Sequence, residues 1–237
     1  MLAQVGQRGS GRGDQGRGVE SLNGAASAQR TMNKPLPLVA IIATLVSVGC
    51  NATTAPSSGA FVEARTASVF AGACHYGGEY TTAGREAVMA WRFDTGPARG
   101  ARVVALVTSD VNLAVEDGQR RSAVYLEGPL GACDEALLRL IEKGLLGEVV
   151  TVERGARINL EGDNYEVFAG VDVQLEGALL PDRACCSMPA KVWYDPLASE
   201  GPGVVGNSLV FQCDVPELNV RFSSVGENDA FVGSFIW

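Results

Sequence analysis

The sequence contains one histidine, His75, among 237 residues. A zinc centre built on several imidazoles therefore cannot form within one chain. A Ser-His-Asp or Cys-His hydrolase would have to run through His75. Its neighbour Cys74 is not automatically the partner, because adjacent side chains on a strand point to opposite faces. Basic residues are also scarce. Lys and Arg number 19 against 27 Asp and Glu, and the first 34 residues hold five of the basic groups (Arg8, Arg12, Arg17, Arg30, Lys34) but only Asp14 and Glu20 of the acidic ones. That leaves 14 basic against 25 acidic side chains, a formal charge of −11, for the rest of the chain. This balance argues against a nucleic-acid partner, whose phosphates must be neutralised by Lys and Arg. The balance suits a soluble, self-repelling envelope domain. No Cys-x-x-Cys, phosphate loop, dinucleotide fingerprint, calcium loop or internal repeat is present.

Long apolar runs are missing too. The longest, Leu36 to Val48, is too short to cross a bilayer as a helix but has the length of a signal-peptide core. Met32-Asn33-Lys34-Pro35 supplies a short positive region before it, and Ser47-Val48-Gly49-Cys50 ends it with small residues and a cysteine. Lipoprotein signal peptidase cleaves before such a cysteine, whose thiol takes a diacylglycerol and whose amine takes an acyl chain such as palmitate. Several chains on one residue anchor stably where one does not. The expectation is a lipoprotein signal over residues 32–49, lipid attachment at Cys50, and a membrane partner reached through that lipid. Ser47 stands where Leu is preferred, so ordinary secretion is the alternative. Residues 50–60, Cys-Asn-Ala-Thr-Thr-Ala-Pro-Ser-Ser-Gly-Ala, read as a flexible tether. Residues 1–31 are Gly-rich and without apolar period. They read as a disordered or untranslated extension, with an RGG-like tail as the alternative.

From Phe61 the texture changes to short apolar runs broken by turns. Strands are expected over Phe61–Ala71, Glu86–Phe93, Arg102–Thr108, Ser122–Leu126, Glu148–Glu153, Ala156–Leu160, Tyr165–Phe168, Val171–Leu175, Ser208–Cys213, Asn219–Phe222 and Phe231–Trp237. Gly162-Asp163-Asn164 is a hairpin signal. One helix is expected over Asp134–Leu145, with Ala136, Leu137, Leu140 and Ile141 at helical spacing and Asp134 and Glu135 in its first turn. The fold class implied is α+β: mostly antiparallel strands with one main helix, in one domain over residues 61–237.

Beyond Cys50 the chain has five cysteines: Cys74, Cys133, Cys185, Cys186 and Cys213. Outside the cytoplasm they tend to pair, and five allow two disulfides and one free thiol. Cys74 with Cys185 or Cys186 is the favoured bridge, because a Cys185–Cys186 ring is strained. That is the reading of a disulfide-stapled structural or interaction module. The sharper reading takes Cys74, His75, Cys185, Cys186 and Met188 as two clusters of thiolate, imidazole and thioether. Such donors suit copper as Cu(I), and the thiolates also suit zinc. Met188 is otherwise a core filler. A third reading is thiol oxidoreductase chemistry at Cys133, at the expected helix start, where the dipole lowers a thiol pKa. Arg85 and Glu86 read as a surface ion pair or as a wall of the Cys74-His75 pocket. Trp91, Trp193 and Tyr194 read as core or rim aromatics. Asp94, Asp195 and Glu227 form no recognisable carboxylate pair.

Two blocks carry a resemblance. One is Arg121-Ser122-Ala123-Val124-Tyr125-Leu126, a short loop, the expected helix, and Gly147-Glu148-Val149-Val150. The other is Cys185-Cys186-Ser187-Met188-Pro189. With Cys74-His75 they make Phe61 to Trp237 similar to the bacterial family known as domain of unknown function 1326. Members of that family carry several cysteines near the start of the domain, where this chain keeps Cys74. The resemblance implies an envelope or secreted setting, facing the periplasm or exterior. It implies no activity.

Overall fold

In a computed structural model of the chain, the described residues are 55–72, 75–76, 84–115, 118–180, 191–192, 194–201 and 203–237. Two units divide the chain. Met1–Cys50 lies outside the described residues, and Asn51–Trp237 carries the fold.

The strands are β1 (Ser58–Arg65), β2 (Phe70–Gly72), β3 (His75–Tyr76), β4 (Glu86–Phe93), β5 (Arg102–Ser109) and β6 (Arg120–Glu127). After helix α1 (Leu130–Glu142) come β7 (Glu148–Arg154), β8 (Ala156–Glu161), β9 (Asn164–Ala169) and β10 (Val173–Leu179). Then follow β11 (Lys191–Val192), β12 (Gly203–Val215), β13 (Val220–Ser224) and β14 (Glu227–Ile236). An eleven-stranded sheet runs β7-β6-β5-β4-β1-β14-β12-β10-β9-β8, with β13 also paired to β12. It curls until β8 packs over β4, β5 and β6, nearly closing a barrel. Among the described pairings, only β6 with β7 is parallel. That exception follows from α1, which returns the chain to the same end of the sheet before the next strand begins. The described residues are thus mostly antiparallel β with one α-helix.

β4 and β5 read as almost continuous apolar runs because both their faces are covered. Val88, Ala90, Val104 and Leu106 face the barrel interior with Val167, Leu175 and Phe211. Met89, Trp91, Val103 and Ala105 face the opposite way, under Cys133, Ala136 and Leu140 of α1. Each fully buried Val, Leu or Phe contributes roughly 1.5–3 kcal/mol. Trp91 is a core residue, as its sequence context implies, and its indole N–H donates to the Ala198 carbonyl at 2.8 Å. The hairpin of β8 and β9 pairs Glu161 with Asn164, leaving Gly162 and Asp163 as the two-residue turn, with Gly162 at φ 58°.

Three expectations need correction. The helix starts at Leu130, not Asp134, so Asp134 and Glu135 fall beyond its first turn. Pro129 is the N-cap, with extended φ and ψ, and a proline there costs no hydrogen bond. The stretch Phe61–Ala71 is not one strand. β1 begins earlier, at Ser58 inside the expected tether, and breaks at Thr66, whose hydroxyl donates to Glu86 Oε2 at 2.8 Å. Finally, Cys133 and Cys213 are both free, buried thiols. Two disulfides among five cysteines therefore cannot form, and with Cys50 set apart only Cys74, Cys185 and Cys186 remain to pair.

A candidate site at the base of a small sheet

A second sheet, β11-β2-β3, stands apart from the large one. β2 pairs β3 through Ala71↔Tyr76 and Gly72↔His75, and β11 pairs β2 through Lys191↔Ala71 and Val192↔Phe70. Both pairings are antiparallel, so the chain enters β11 at the end of the sheet where it leaves β2. Of the sequence-derived site residues, His75 contributes its backbone to β3. Cys50, Cys74, Cys185, Cys186 and Met188 lie outside the described residues, as does Trp193. The small sheet is tied to the large one by the Val69 amide, which donates to the Asn228 carbonyl at 2.7 Å.

Beneath the small sheet, where β1 leads toward β2 and β11 leads into Tyr194, sits a buried group of charges. Phe61, Glu63 and Arg65 alternate along β1 and so share one face. Glu63 is fully buried and Arg65 is 1% exposed. Their ion pair is short, Arg65 Nε to Glu63 Oε1 at 2.5 Å. Glu63 Oε2 accepts the backbone N–H groups of Leu197 (2.6 Å) and Ala198 (2.7 Å). This carboxylate thereby holds the segment that follows β11 against the sheet. Arg65 Nη2 donates to the Asp195 carbonyl, while Nη1 has no hydrogen-bond partner among the described residues. The guanidinium lies 5.2 Å from the Tyr194 ring centroid and 6.0 Å from that of Phe231, within cation–π range.

Arg120, at the start of β6, adds a second guanidinium. Its Nη2 donates to the Leu113 carbonyl at 3.0 Å. Burial lowers its pKa below the ordinary arginine value, the positive charge of Arg65 lowers it further, and Glu63 opposes both. The Asn112 amide reaches the Tyr194 hydroxyl at 3.5 Å, closing the rim. Tyr194 is thus a rim aromatic packed on a cation. Asp195 contributes its carbonyl, and its side chain is exposed. No ion pair joins Arg85 to Glu86 among the described residues.

The barrel interior holds a different polar group. Ser208 of β12 lies opposite Glu227 of β14, and the register slips there, so that Gly206 pairs with Ala230. Tyr165 OH lies 3.2 Å from Ser208 Oγ. Asp229 is fully buried, and neither carboxylate oxygen makes a hydrogen bond of normal geometry. Burial pushes its carboxyl up to about 8, partly offset by the Ser208 hydroxyl and raised again by Glu227. Glu227 is also raised, by burial.

Glu63, Arg65, Arg120 and Asp229 are not among the residues that the sequence singles out. A signal existed for the first two: Phe-Val-Glu-Ala-Arg places two opposite charges at i and i+2 on one face of an apolar strand. Cys133 does lie in the first turn of α1, but it is 1% exposed and packed in the core, with Arg154 Nη1 at 3.5 Å from its sulfur. Compared with protein-family models, with curated proteins and with solved structures, the chain finds no match in any of the three.

Proposed function

We propose that this is an exported lipoprotein of the bacterial cell envelope. Acylated Cys50 anchors it, and Cys74, His75, Cys185, Cys186 and Met188 bind a soft metal ion, Cu(I) or Zn(II). The observation in support is the pairing of the small sheet. β2, which leads to Cys74, and β11, which follows the Cys185–Met188 segment, are hydrogen-bonded neighbours, and the chain enters β11 where it leaves β2. The described strand that precedes Cys74 and the described strand that follows Met188 are thus neighbours in one sheet, though far apart in sequence. A second support is arithmetic. Cys133 and Cys213 are buried and free, so the cysteines left for chemistry are the three in these segments. Kinship with the domain of unknown function 1326 family belongs to the same reading.

The same three cysteines serve the alternative, a disulfide-stapled interaction module. Thiol exchange at Cys133 has little support, because a reacting thiolate must be reached by its partner. No helix among the described residues is long and apolar enough to cross a membrane.

The test is protein purified from the envelope without chelator, assayed for metal, for free thiols and for the mass of its N-terminal peptide. About one copper or zinc per chain, lost in Cys74→Ser and Cys185→Ser/Cys186→Ser, is the expected result. No metal, together with a bridge from Cys74 to Cys185 or Cys186, would replace the metal reading with the stapled module. A mature chain beginning at an unacylated residue would remove the anchor.

A further inference from the structure

We infer that Arg65 and Arg120 form a binding site for a small oxyanion, a carboxylate or phosphate group, at the base of the small sheet. The site does not rest on the metal reading. Its floor is a guanidinium 1% exposed, with one edge committed to Glu63 and Asp195 and with Nη1 left without a partner among the described residues. A buried N–H of a charged group left unpaired costs the full loss of its hydration, so its native partner is a hydrogen-bond acceptor. Apart from Glu63 and the Asp195 and Leu113 carbonyls, which are already engaged, the side chains named at this end supply donors or cations. Arg120 presents its guanidinium, Asn112 its amide and Tyr194 its hydroxyl, and all three side chains are partly exposed, so that this rim meets solvent.

Charge counting gives the same sign. Glu63 balances one of the two arginines. Its carboxylate is already engaged by Arg65 and by two backbone amides. Among the described residues, no other carboxylate forms an ion pair with Arg65 or Arg120. Counted over the described residues, one net positive charge therefore stays in a partly desolvated place. Burial, and after it the positive charge of Arg65, holds the Arg120 guanidinium below the ordinary arginine value, in keeping with that surplus. An anion between them would neutralise it and take charge-assisted hydrogen bonds from both, which are stronger than neutral ones. The planar fork of arginine fits the two oxygens of a carboxylate or phosphate, and the aromatic packing of Arg65 on Tyr194 and Phe231 fixes the plane of that fork.

The experiment uses the full chain in chloride buffer at fixed ionic strength. It titrates inorganic phosphate, then acetate, by calorimetry and by thermal unfolding. Saturable binding of at least one of them, with a rise in Tm that chloride at the same ionic strength does not give, is the expected result. Arg120→Gln, at a partly exposed position whose described bond is to a backbone carbonyl, should weaken that binding by about tenfold or more. Arg65→Lys, which keeps the charge beside Glu63 but loses the fork, should weaken it as well. The phosphate and acetate arms separate the two ligand classes. Repeating the titration on the Cys74→Ser/Cys185→Ser/Cys186→Ser variant separates this site from the metal: binding should persist there. No saturable binding of either anion, or equal binding by wild type and Arg120→Gln, overturns the assignment.

Discussion

Glu63 and Arg65 stand two residues apart on one strand and form a buried ion pair of 2.5 Å, with Glu63 also holding the amides of Leu197 and Ala198. Removing one partner of such a pair leaves an uncompensated charge in the interior. Glu63→Ala should therefore destabilise the protein by about 3–5 kcal/mol. Replacing both with apolar residues of similar volume, Glu63→Leu with Arg65→Met, should cost less than Glu63→Ala alone, although the two amides lose their acceptor in both variants. Urea unfolding of the two variants and wild type checks this. A double variant less stable than Glu63→Ala would show that the pair is favourable in itself and not merely costly to break.

Asp229 makes stability depend on pH with a definite sign. Its carboxyl is held up to about 8 in the fold, against an ordinary value of 3.8. Between these values the folded chain keeps a proton that the unfolded chain has released. Raising the pH then favours unfolding. The stabilisation is fully present below about pH 4, falls as the pH climbs, and is gone once the pH passes about 8. Glu227, also raised, acts in the same direction above its own ordinary value. Asp229→Asn removes the ionisable group with little change in shape. Its Tm should decline less than that of wild type from pH 5 to 8.5 and should exceed it at the alkaline end. Parallel Tm curves for the two proteins would mean that Asp229 does not titrate in this range.

The parts legible in the sequence are those whose neighbours are uniform. Glu86–Phe93 is both the expected and the observed strand, because a strand buried on both faces writes an unbroken apolar run. The helix is legible from its apolar face, but its start lies four residues before the expected one. Asp134 and Glu135 point to a first turn there, while the chain starts the helix after Pro129, with no side-chain cap. The strands of the small sheet are two or three residues long, too short to show a period of two. The seating of β1 between β4 and β14 depends on residues far along the chain. For the site, residue type picked out the cysteines, His75 and Met188. The buried charges escaped because Glu63, Arg65 and Arg120 look like ordinary surface residues until the fold covers them.

Tyr165 occupies space that two glycines vacate. A Cβ built on Gly177 would overlap the Tyr165 hydroxyl and the Asn207 carbonyl, and one on Gly206 would come within 2.9 Å of the Tyr165 ring. Neither glycine has a positive φ, so the requirement is for room and not for an unusual backbone. Gly177→Ala should destabilise by about 1–3 kcal/mol through overpacking. Adding Tyr165→Leu, which empties the contested volume, should recover part of the loss, with the Asn207 carbonyl limiting the recovery. Urea midpoints of the single and double variants measure the coupling. Strict additivity would mean that the clash is relieved elsewhere.

Cys133 and Cys213 are set in different surroundings but share one expectation. Both are buried free thiols, and burial pushes the Cys213 thiol up to about 12, aided by the negative charge of Glu86. A thiol so raised is almost wholly protonated at neutral pH, and the thiolate is the reacting form. In folded protein neither cysteine should react with a thiol reagent over minutes at pH 8, whereas both should react at once in denaturant. Mass spectrometry of labelled peptides reads each site separately. Cys133→Ser should leave any disulfide-exchange activity of the protein unchanged. A loss of exchange in that variant, or labelling of Cys133 in the folded state, would restore the redox reading and would require α1 to open. The inner end of α1 is packed under the sheet through Cys133, Ala136 and Leu140, so such opening should also show as hydrogen exchange across Leu130–Glu142.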